Sequence, residues 1–418
     1  MRILITAAVA FAGAALGAQA PPPVRQIGRL EHVTTDSLAS IASALVMPDG
    51  GVLVNDRIAH RVLRYDSTLA HATVVADTTA ATANIYGQRP ANLIHYRGDS
   101  ALLIDQTSLS MFVIGPRGAV GRVMAIPRAN DAQAMIAAGS GVDARGRLIY
   151  SNALSLLPGI LMLGRGDLIL KDQMTRWAER TDSAPLLRVD PPTRQLDTIA
   201  WLRIPKLDRE LKLDDAGHLT SIVNVPDPLP VVDHSIVLHD GTVAIVRGRD
   251  YHVDWLGVDG TWSSTPRMAF DWRRLDDARK QALIDSTVKS WQAQYDRVVN
   301  GGGRSGRGGG DLAPIVAVAP PLSSVFDYVP PFPSQAGGPN LINSGPILNA
   351  DADGNLWIRT TNVVAGRPVF DVVSRRGEVI DRVQLPAFRS LAGFGPGVIY
   401  MAVKDSAGIV RLERARIR

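Results

Sequence analysis

The sequence predicts an all-β fold, a six-bladed β-propeller, on three observations. Short runs rich in Val, Ile, Phe and Trp are bounded by Gly, Asp and Asn, as antiparallel strands are. The pattern of strand, Gly/Asp turn, strand, polar loop and strand recurs six times along the 418 residues. The clearest copy, residues 349–386, has the length of one four-stranded blade, roughly 40-odd residues.

The six copies are located by their tight turns, each of which precedes an apolar strand. In the clearest copy the turn leads into Leu356-Trp357-Ile358, and a further strand follows over 369–373. The turns are, in chain order, Asp49-Gly50-Gly51, Gly98-Asp99-Ser100, Asp143-Ala144-Arg145-Gly146, Asp240-Gly241, Asp353-Gly354-Asn355 and Gly395-Pro396-Gly397.

The last copy contains only about three strands, which predicts how the ring closes. A blade left open would expose a strand edge to aggregation. A surplus strand lies near residues 26–30, before the first copy. We therefore expect the N-terminal strand to pair in the C-terminal blade and to complete a single domain over 21–418.

Two insertions separate the copies, at about 151–185 and 271–345. Residues 275–299 of the second predict a helix, between blades 4 and 5, with one apolar face. We expect this helix to brace the ring, in preference to binding a partner. A flexible Gly-rich linker is predicted over 300–311. The apolar residues of that face are Ile284, Val288, Trp291, Tyr295 and Val298.

The first twenty residues predict a signal peptide and therefore a periplasmic or secreted protein. Arg2 precedes an uncharged apolar run over 3–16, and Ala18-Gln19-Ala20 is a typical cleavage site. A buried N-terminal helix or an uncleaved anchor is the alternative. No later run is long enough to span a membrane.

Composition excludes several classes of function. The chain has no cysteine, so it has neither disulfides nor thiolate metal sites, and no cysteine is available for lipid attachment. A net charge of +5 is small for 418 residues and predicts no nucleic-acid partner. HExxH, P-loop and GxSxG motifs are all absent.

Two local patterns that could suggest metal binding are interpreted as structural. An EF-hand starting at Asp351 would need glycine at Leu356 and glutamate at Asn362, so we predict a β-turn there. His234 and His239 lie five residues apart, which places them on opposite faces of a strand. Asp233-His234 precedes a strand and could lie near the axis, although a hydrogen-bonded loop histidine is the favoured interpretation.

The candidate site is a ring of polar residues that follow the strand after each turn. In a propeller these positions converge on the axial mouth. They could hold a divalent cation, calcium or zinc, or clamp a small polar or anionic ligand through arginine. The alternative is that they pair with each other and cap loop backbone. The ring consists of Asp56, Asp105, Asn152, Arg247, Asp250, Arg359 and Asp405.

The chain resembles secreted bacterial six-bladed propellers of the NHL-repeat and gluconolactonase/regucalcin-like group. The resemblance rests on the turn-strand units 49–54 and 353–358 and on the strands 61–66 and 369–373, and it covers the chain from about residue 24 onward without the insertions. It implies a divalent metal held by glutamate, asparagine and aspartate around the axis. Asp56, Asp105 and Asn152 are the candidates, and no glutamate lies at an equivalent position. The two insertions resemble those of a subgroup of such propellers, and their sequences point to no particular activity.

Three hypotheses about function follow. The first is an exported, monomeric binding or interaction module whose axial pocket takes a small polar or anionic ligand or a protein partner. The alternative is a metal-dependent lactone or ester hydrolase at the same mouth. In the third, the apolar segment 154–163 and the helix around Trp291 bind a protein or membrane surface.

Overall fold

The computed structural model describes residues 21–137, 139–152, 182–206, 208–300, 313–334 and 346–418. The predicted signal peptide, the apolar segment 154–163 and residues 301–311 of the predicted linker lie outside this part of the chain. The described residues are mostly β-strand with few helices. Among them, no helix combines the length and apolarity needed to cross a membrane.

In the described part of the chain, 28 strands form seven sheets: five of four strands, one of five and one of three. Without the parallel strand β1 (Val24–Gln26), the five-stranded sheet is also a four-stranded antiparallel unit, which gives six such units. The N-terminal strands are β1 (Val24–Gln26) and β2 (Leu30–Val33). Sheet 1 contains β3 (Ser43–Val46), β4 (Val52–Asp56), β5 (Arg61–Tyr65) and β6 (Ala72–Ala76). Sheet 2 contains β7 (Asn92–His95), β8 (Ala101–Asp105), β9 (Ser110–Ile114) and β10 (Val120–Ala125), and the short helix α1 (Ala132–Met135) follows it.

The remaining strands continue the same order along the chain. Sheet 3 contains β11 (Gly141–Val142), β12 (Leu148–Ser151), β13 (Ser183–Val189) and β14 (Leu196–Arg203). A hairpin of β15 (Asp208–Leu213) and β16 (Leu219–Val225) precedes sheet 4, which contains β17 (Asp233–Val237), β18 (Val243–Arg247), β19 (His252–Leu256) and β20 (Trp262–Ser264). Helix α2 (Asp277–Asn300) and β21 (Ile315–Ala317) lead to sheet 5, with β22 (Leu348–Ala350), β23 (Leu356–Val364), β24 (Arg367–Val373) and β25 (Val379–Gln384). Sheet 6 contains β26 (Arg389–Gly395), β27 (Val398–Lys404), β28 (Val410–Arg416) and β2.

The predicted β-turn at Asp351 is present, and its own side chain explains why it forms. The Asp351 carboxylate accepts hydrogen bonds from the backbone amides of Asp353 (3.0 Å) and Asn355 (2.9 Å). Gly354 lies at φ +80°, a conformation that costs glycine little and other residues more. The turn therefore joins β22 to β23 and leaves no open carboxylate for a calcium loop.

Apolar cores lie between neighbouring sheets. Separate clusters join sheets 1 and 2, 2 and 3, 3 and 4, 4 and 5, 5 and 6, and 6 and 1. The first strands of successive sheets are in contact from β26 through β3, β7, β11 and β17 to β22. Second strands such as β4 and β8 are buried along their whole length, whereas every residue of β17 is only partly buried. Among the first strands, β17 therefore lies in a region that is more accessible to solvent than these second strands.

The N-terminal residues form two strands where we predicted one near 26–30. β2 pairs antiparallel with β28 as the outer strand of sheet 6, and β1 adds to sheet 5 in parallel with β25. Gly28 separates them, because its amide bonds the Arg416 carbonyl at 3.0 Å and a Cβ there would lie 2.8 Å from the same oxygen. The predicted strand thus lies a few residues later in the sequence than expected.

Part of the second insertion forms a small unit together with a hairpin that precedes it in the sequence. The predicted helix is present as α2, and the hairpin β15–β16, which the sequence analysis missed, pairs with β21 as a seventh sheet. Trp291 and Tyr295 of α2 pack with Leu219 and Ile222 of this sheet. We predicted that this helix packs on the ring of blades. In the structure, the hairpin supplies the apolar surface for Trp291 and Tyr295, so that prediction is wrong.

Candidate functional site

The predicted ring residues lie where the second strand of a sheet ends and the loop to the third begins. Asp56 and Asp105 end β4 and β8, and Arg247 ends β18. Arg359 lies within the longer β23, and Asp405 follows β27. Their surroundings differ from sheet to sheet, and these differences decide which of them can take a ligand.

Asp56 has no exposed side-chain surface, and its carboxylate is occupied by its own surroundings. Oδ1 accepts from the amide and hydroxyl of Ser40, at 2.8 and 3.2 Å, and from the Ala59 amide at 3.3 Å. Oδ2 accepts from the Ala39 amide at 3.0 Å and from Arg61 Nε at 3.2 Å. This carboxylate therefore fixes two loops and has little capacity left for a metal or ligand.

Asp105 has the same role in sheet 2. Its Oδ2 accepts from the amide and hydroxyl of Ser108, at 2.8 and 2.6 Å, and its Oδ1 from the Gly87 amide at 3.3 Å. A Cβ at Gly87 would lie 2.8 Å from that Oδ1, so glycine permits the close approach. Asn152, the third metal candidate, follows β12 directly before the undescribed residues 153–181.

The charges in sheet 4 pair with each other. Arg247 donates from Nε to Asp254 at 2.7 Å and from Nη1 to Asp233 at 2.8 Å. Burial opposes the charge of Arg247, but the hydrogen bonds to Asp254 and Asp233 outweigh it and raise its pKa. Asp250 contacts His252 Nδ1 at 2.8 Å and lies 3.7 Å from Arg267. Arg247 and Asp250 thus belong to a paired network.

Asp405 caps an exposed turn in sheet 6. Its Oδ1 accepts from the amides of Ala407 (3.0 Å) and Ile409 (2.9 Å), and its Oδ2 from Arg411 at 3.2 Å. The hydrogen bond from the Ile409 amide is the main reason why its pKa is lowered. This residue stabilises its own turn.

Arg359 lines a pocket between sheets 5 and 6. The cavity volume is about 100 Å³, and its wall combines arginines with apolar side chains. Burial lowers the pKa of Arg359, so its charge lies in surroundings of low polarity. The lining residues are Pro346, Arg359, Arg367, Pro368, Phe370, Leu385, Pro386, Ala387, Phe388, Arg389, Ser390 and Leu391.

His234, for which the sequence favoured a hydrogen-bonded loop position, lies in β17 and is close enough to Arg359 for that guanidinium to help lower its pKa. Burial is the larger cause, and together they lower the pKa of His234 to about 4. The imidazole donates to the Pro333 carbonyl, while Nε2 is buried and has no hydrogen-bond partner in the described part of the chain. Nδ1 therefore carries the proton, and Nε2 is an acceptor.

Two stretches of the second insertion meet beside this histidine. The Val329 amide donates to the Arg273 carbonyl at 3.0 Å, and the Thr361 amide to that of Pro331 at 2.9 Å. Phe332 is buried in the core between sheets 4 and 5, and its ring centroid lies 5.2 Å from that of His234. The insertion thus forms part of the wall around His234.

Arg57 is a site residue that the sequence analysis missed, although it directly follows Asp56. It is partly buried beside Tyr86, and burial lowers its pKa. Among the described residues its guanidinium makes no hydrogen bond or ion pair. The only sequence signal for it was its position next to a predicted ring residue.

The described residues contain no group of three or more His, Asp or Glu side chains that could hold a metal ion. In addition, backbone amides already point at the oxygens of Asp56 and Asp105. A cation would have to displace these donors, so the two carboxylates suit loop capping better than metal ligation.

The sequence matches no protein-family model and no curated protein. Among solved structures, the chain is similar to a candidate exported protein from Bacteroides fragilis, with 8% identity, a TM-score of 0.44 and coverage of 94% of this chain and 95% of that one. It is also similar to a gluconolactonase from Xanthomonas campestris (10% identity, TM-score 0.37, 94% and 98% covered). The chain is also similar to virginiamycin B lyase from Staphylococcus aureus, with 8% identity, a TM-score of 0.37 and coverage of 93% of this chain and 99% of that one. At these identities and TM-scores the likenesses carry no argument about this chain.

Proposed function

We propose that the chain is an exported six-bladed β-propeller that binds a small anionic ligand at the face where the second strands end. The six four-stranded sheets would be the blades, closed by β2 on β28. Two observations support this architecture: each apolar core is shared by two successive sheets, and the first strands of successive sheets are in contact from β26 through β3, β7, β11 and β17 to β22. A monomer is expected, which light scattering of the purified protein would test.

The observation that carries the proposal is the contrast between the carboxylates and Arg57. Asp56 and Asp105 are occupied by donors from their own loops. Arg57 is partly buried, and within the described residues nothing accepts its hydrogen bonds. A desolvated guanidinium is costly unless an anion pairs with it, and arginine binds carboxylate and phosphate through two parallel hydrogen bonds. The face is therefore built to receive negative charge.

Calorimetric titration tests the proposal, with acetate, phosphate and citrate as probes and acetamide as the neutral control, all at constant ionic strength. We expect saturable binding of at least one anion and none of acetamide. Arg57→Gln should weaken binding about tenfold, the value of one charge-assisted contact. Arg376→Gln is the matched control, because Arg376 is exposed and pairs only with Glu378 of its own turn. If no anion binds to the wild-type protein, the proposal is wrong.

A second candidate function is lactone or ester hydrolysis at the same mouth. The observation that favours it is the unprotonated Nε2 of His234, fixed by the Pro333 carbonyl and placed near Arg359. Such a nitrogen could take a proton from water while the guanidinium stabilises an oxyanion. No step uses a metal, because the surroundings of Asp56 and Asp105 suit loop capping.

Hydrolysis of p-nitrophenyl acetate and of γ-butyrolactone tests this candidate. We expect the rate to rise with pH through about 4, where His234 loses its proton, and to disappear in His234→Gln. Retention of the rate in EDTA would separate this chemistry from metal-dependent hydrolysis. If the protein hydrolyses neither substrate faster than the uncatalysed rate, this candidate is wrong and ligand binding remains the proposed function.

Export is the remaining part of the proposal. Cleavage after Ala20 is expected from the charged start, apolar run and small-residue site of the first twenty residues. N-terminal sequencing of protein from the periplasm or medium gives the result directly. A chain that still carries Met1 in the cytoplasm would contradict it.

A further inference from the structure

We propose that the site at Arg57 binds a phosphate group, either inorganic phosphate or the terminal phosphate of a small monoester. The inference rests on the proposed function, since it specifies the anion that this face receives. Three side chains at the boundary between sheets 1 and 2 support it, and none of them makes a hydrogen bond or ion pair within the described part of the chain. They are Arg57, His60 and Arg89.

The segment 86–91, in the connection from sheet 1 to sheet 2, is held by both sheets. The Tyr86 hydroxyl donates to the Asn55 side chain of β4 at 3.0 Å, and the Ala91 amide donates to the same hydroxyl at 3.1 Å. On the side of sheet 2, the Arg89 amide donates to the Thr107 hydroxyl at 3.1 Å. The backbone that carries Arg89 is therefore fixed beside the loops that follow β4 and β8.

Arg57 and His60 belong to the loop between β4 and β5, and both lie beside Tyr86. The His60 ring stacks on the Tyr86 ring, with centroids 5.8 Å apart and 20° between the ring planes. Burial raises the pKa of Tyr86 to about 12, and the nearby charge of Arg57 opposes that increase. A guanidinium and an imidazole thus lie next to one buried ring, and Arg89 follows that ring by three residues.

The neighbouring carboxylates do not occupy these donors. Asp56, which precedes Arg57 in the sequence, pairs with Arg61 at 3.2 Å. Asp105 accepts from a backbone amide of the connection and from a serine of its own loop. Among the described ion pairs neither carboxylate binds Arg57 or Arg89, so both guanidinium groups keep their hydrogen-bonding capacity.

The number of donors favours phosphate over carboxylate. One guanidinium satisfies a monocarboxylate through two parallel hydrogen bonds, and further donors then add little. A phosphate monoester has three strong acceptor oxygens and a charge of about −1.5 to −2 at neutral pH. It can therefore use a second guanidinium and an imidazole N–H, which Arg89 and His60 supply in addition to Arg57.

Calorimetric titration of the full protein with four probes tests the inference, at constant ionic strength and about pH 7.5, where a phosphate monoester is dianionic. The probes are inorganic phosphate, methyl phosphate, dimethyl phosphate and acetate. We expect methyl phosphate to bind about tenfold more tightly than dimethyl phosphate or acetate, which carry a single charge. Tight binding of inorganic phosphate without methyl phosphate would support a site for the free ion, and tight binding of both would support a site for a monoester.

Two results would contradict the inference, and they have different consequences for the proposed function. Acetate that binds as tightly as methyl phosphate, with both lost in Arg57→Gln, overturns the phosphate site and leaves the proposed function intact. Failure of every anion to bind overturns both.

Arg89→Gln tests the second guanidinium. It should weaken methyl phosphate binding about tenfold and leave acetate binding unchanged, because acetate needs only Arg57. Arg249→Gln is the matched control, since Arg249 is also exposed, has no partner in the described residues and lies in the corresponding loop of sheet 4. It should leave both affinities unchanged. Equal losses in the two variants would show that Arg89 acts only through the net charge of the protein, which overturns the inference.

His60→Phe tests the imidazole. The change keeps a ring against Tyr86 and removes the N–H donor, so the thermal midpoint should stay the same while methyl phosphate binding weakens about fivefold. Unchanged affinity would contradict a site built from three donors.

Discussion

Sheets 1 and 5 each carry a charged residue in the second strand, Asp56 and Arg359, and the two lie in different surroundings. In sheet 1 the Asp56 carboxylate is fully buried and accepts bonds from two loops. In sheet 5 the Arg359 guanidinium lines a pocket whose described wall contains no carboxylate. Asp56 shows that a polar residue in the second strand does not by itself make a binding site, because neighbouring loops can already occupy it.

The cause is the hydrogen-bonding chemistry of the two groups. A carboxylate only accepts, and the start of every loop offers backbone amides, so aspartate is readily occupied by local structure. A guanidinium only donates and carries its charge wherever it is buried, so it needs an acidic partner. Sheet 4 supplies two such partners for Arg247, namely Asp233 and Asp254.

The largest effect is expected for Asp56→Ala. The change removes five hydrogen bonds and leaves buried amides of two loops without an acceptor, so unfolding free energy should fall by about 4 kcal/mol. Urea denaturation measures it. Asp405→Ala is the control, since Asp405 caps an exposed turn, and its loss should be much smaller. Equal losses would mean that the two carboxylates have the same role.

The second-largest loss of stability is expected for Arg247→Gln. It leaves Asp233 and Asp254 close together without the cation between them, and a loss of about 3 kcal/mol is expected for this partly buried pair. Anion binding at Arg57 should persist in the folded variant. If stability is unchanged while anion binding disappears, Arg247 belongs with the ligand-binding arginines.

A smaller effect is expected at the other end of the first strands, where His95 meets His239 with ring centroids 4.6 Å apart. Burial, and then the neighbouring His239, lower the pKa of His95 to about 4. An unfolded histidine titrates near 6.5, so the unfolded state binds the extra proton between these values. Stability is complete above pH 6.5 and is lost as the pH falls towards 4.

Between pH 6.5 and 4, the unfolding free energy is expected to fall by about 2 kcal/mol because of His95. This is less than the full lowering of its pKa implies, because the side chain keeps some accessible surface. Denaturation between pH 4 and 7 measures this slope. His95→Phe keeps a ring against His239 and should reduce the slope, while the similar contribution of His234 remains. An unaltered slope would assign the acid sensitivity to other groups.

The sequence predicts those parts of the fold that neighbouring residues determine. The turn at Asp351 is local, since its carboxylate binds amides two and four residues later, and the apolar stripe of α2 repeats along one segment. The hairpin β15–β16 escaped prediction because exposed charged residues alternate along β15, so that no apolar run marks this strand in the sequence. That the polar residues after the second strands contact a ligand remains a prediction.

The pocket could not have been predicted from local patterns. Its wall combines residues of β23, β24 and β26 with the loop before β26, and only the packing of sheets 5 and 6 brings them together. The occupied state of Asp56 also depends on distant backbone, since Ala39 and Ser40 approach from 17 and 16 residues away. The left-handed Phe388 has no glycine or asparagine to mark it in the sequence.

The strand β1 ties the order of folding to the pocket. Arg25 pairs with Asp381 across 356 residues, and Gln26 accepts from Arg367 of the pocket wall at 3.5 Å. Contacts of such long sequence separation form late, because closing so large a loop costs chain entropy before any contact is gained. During folding, the cores of sheets 1 to 4 can form from residues closer in sequence, whereas the pairing of β1 with β25 needs the first and last parts of the chain to meet. Attachment of β1 to sheet 5 is therefore expected as a late step of folding.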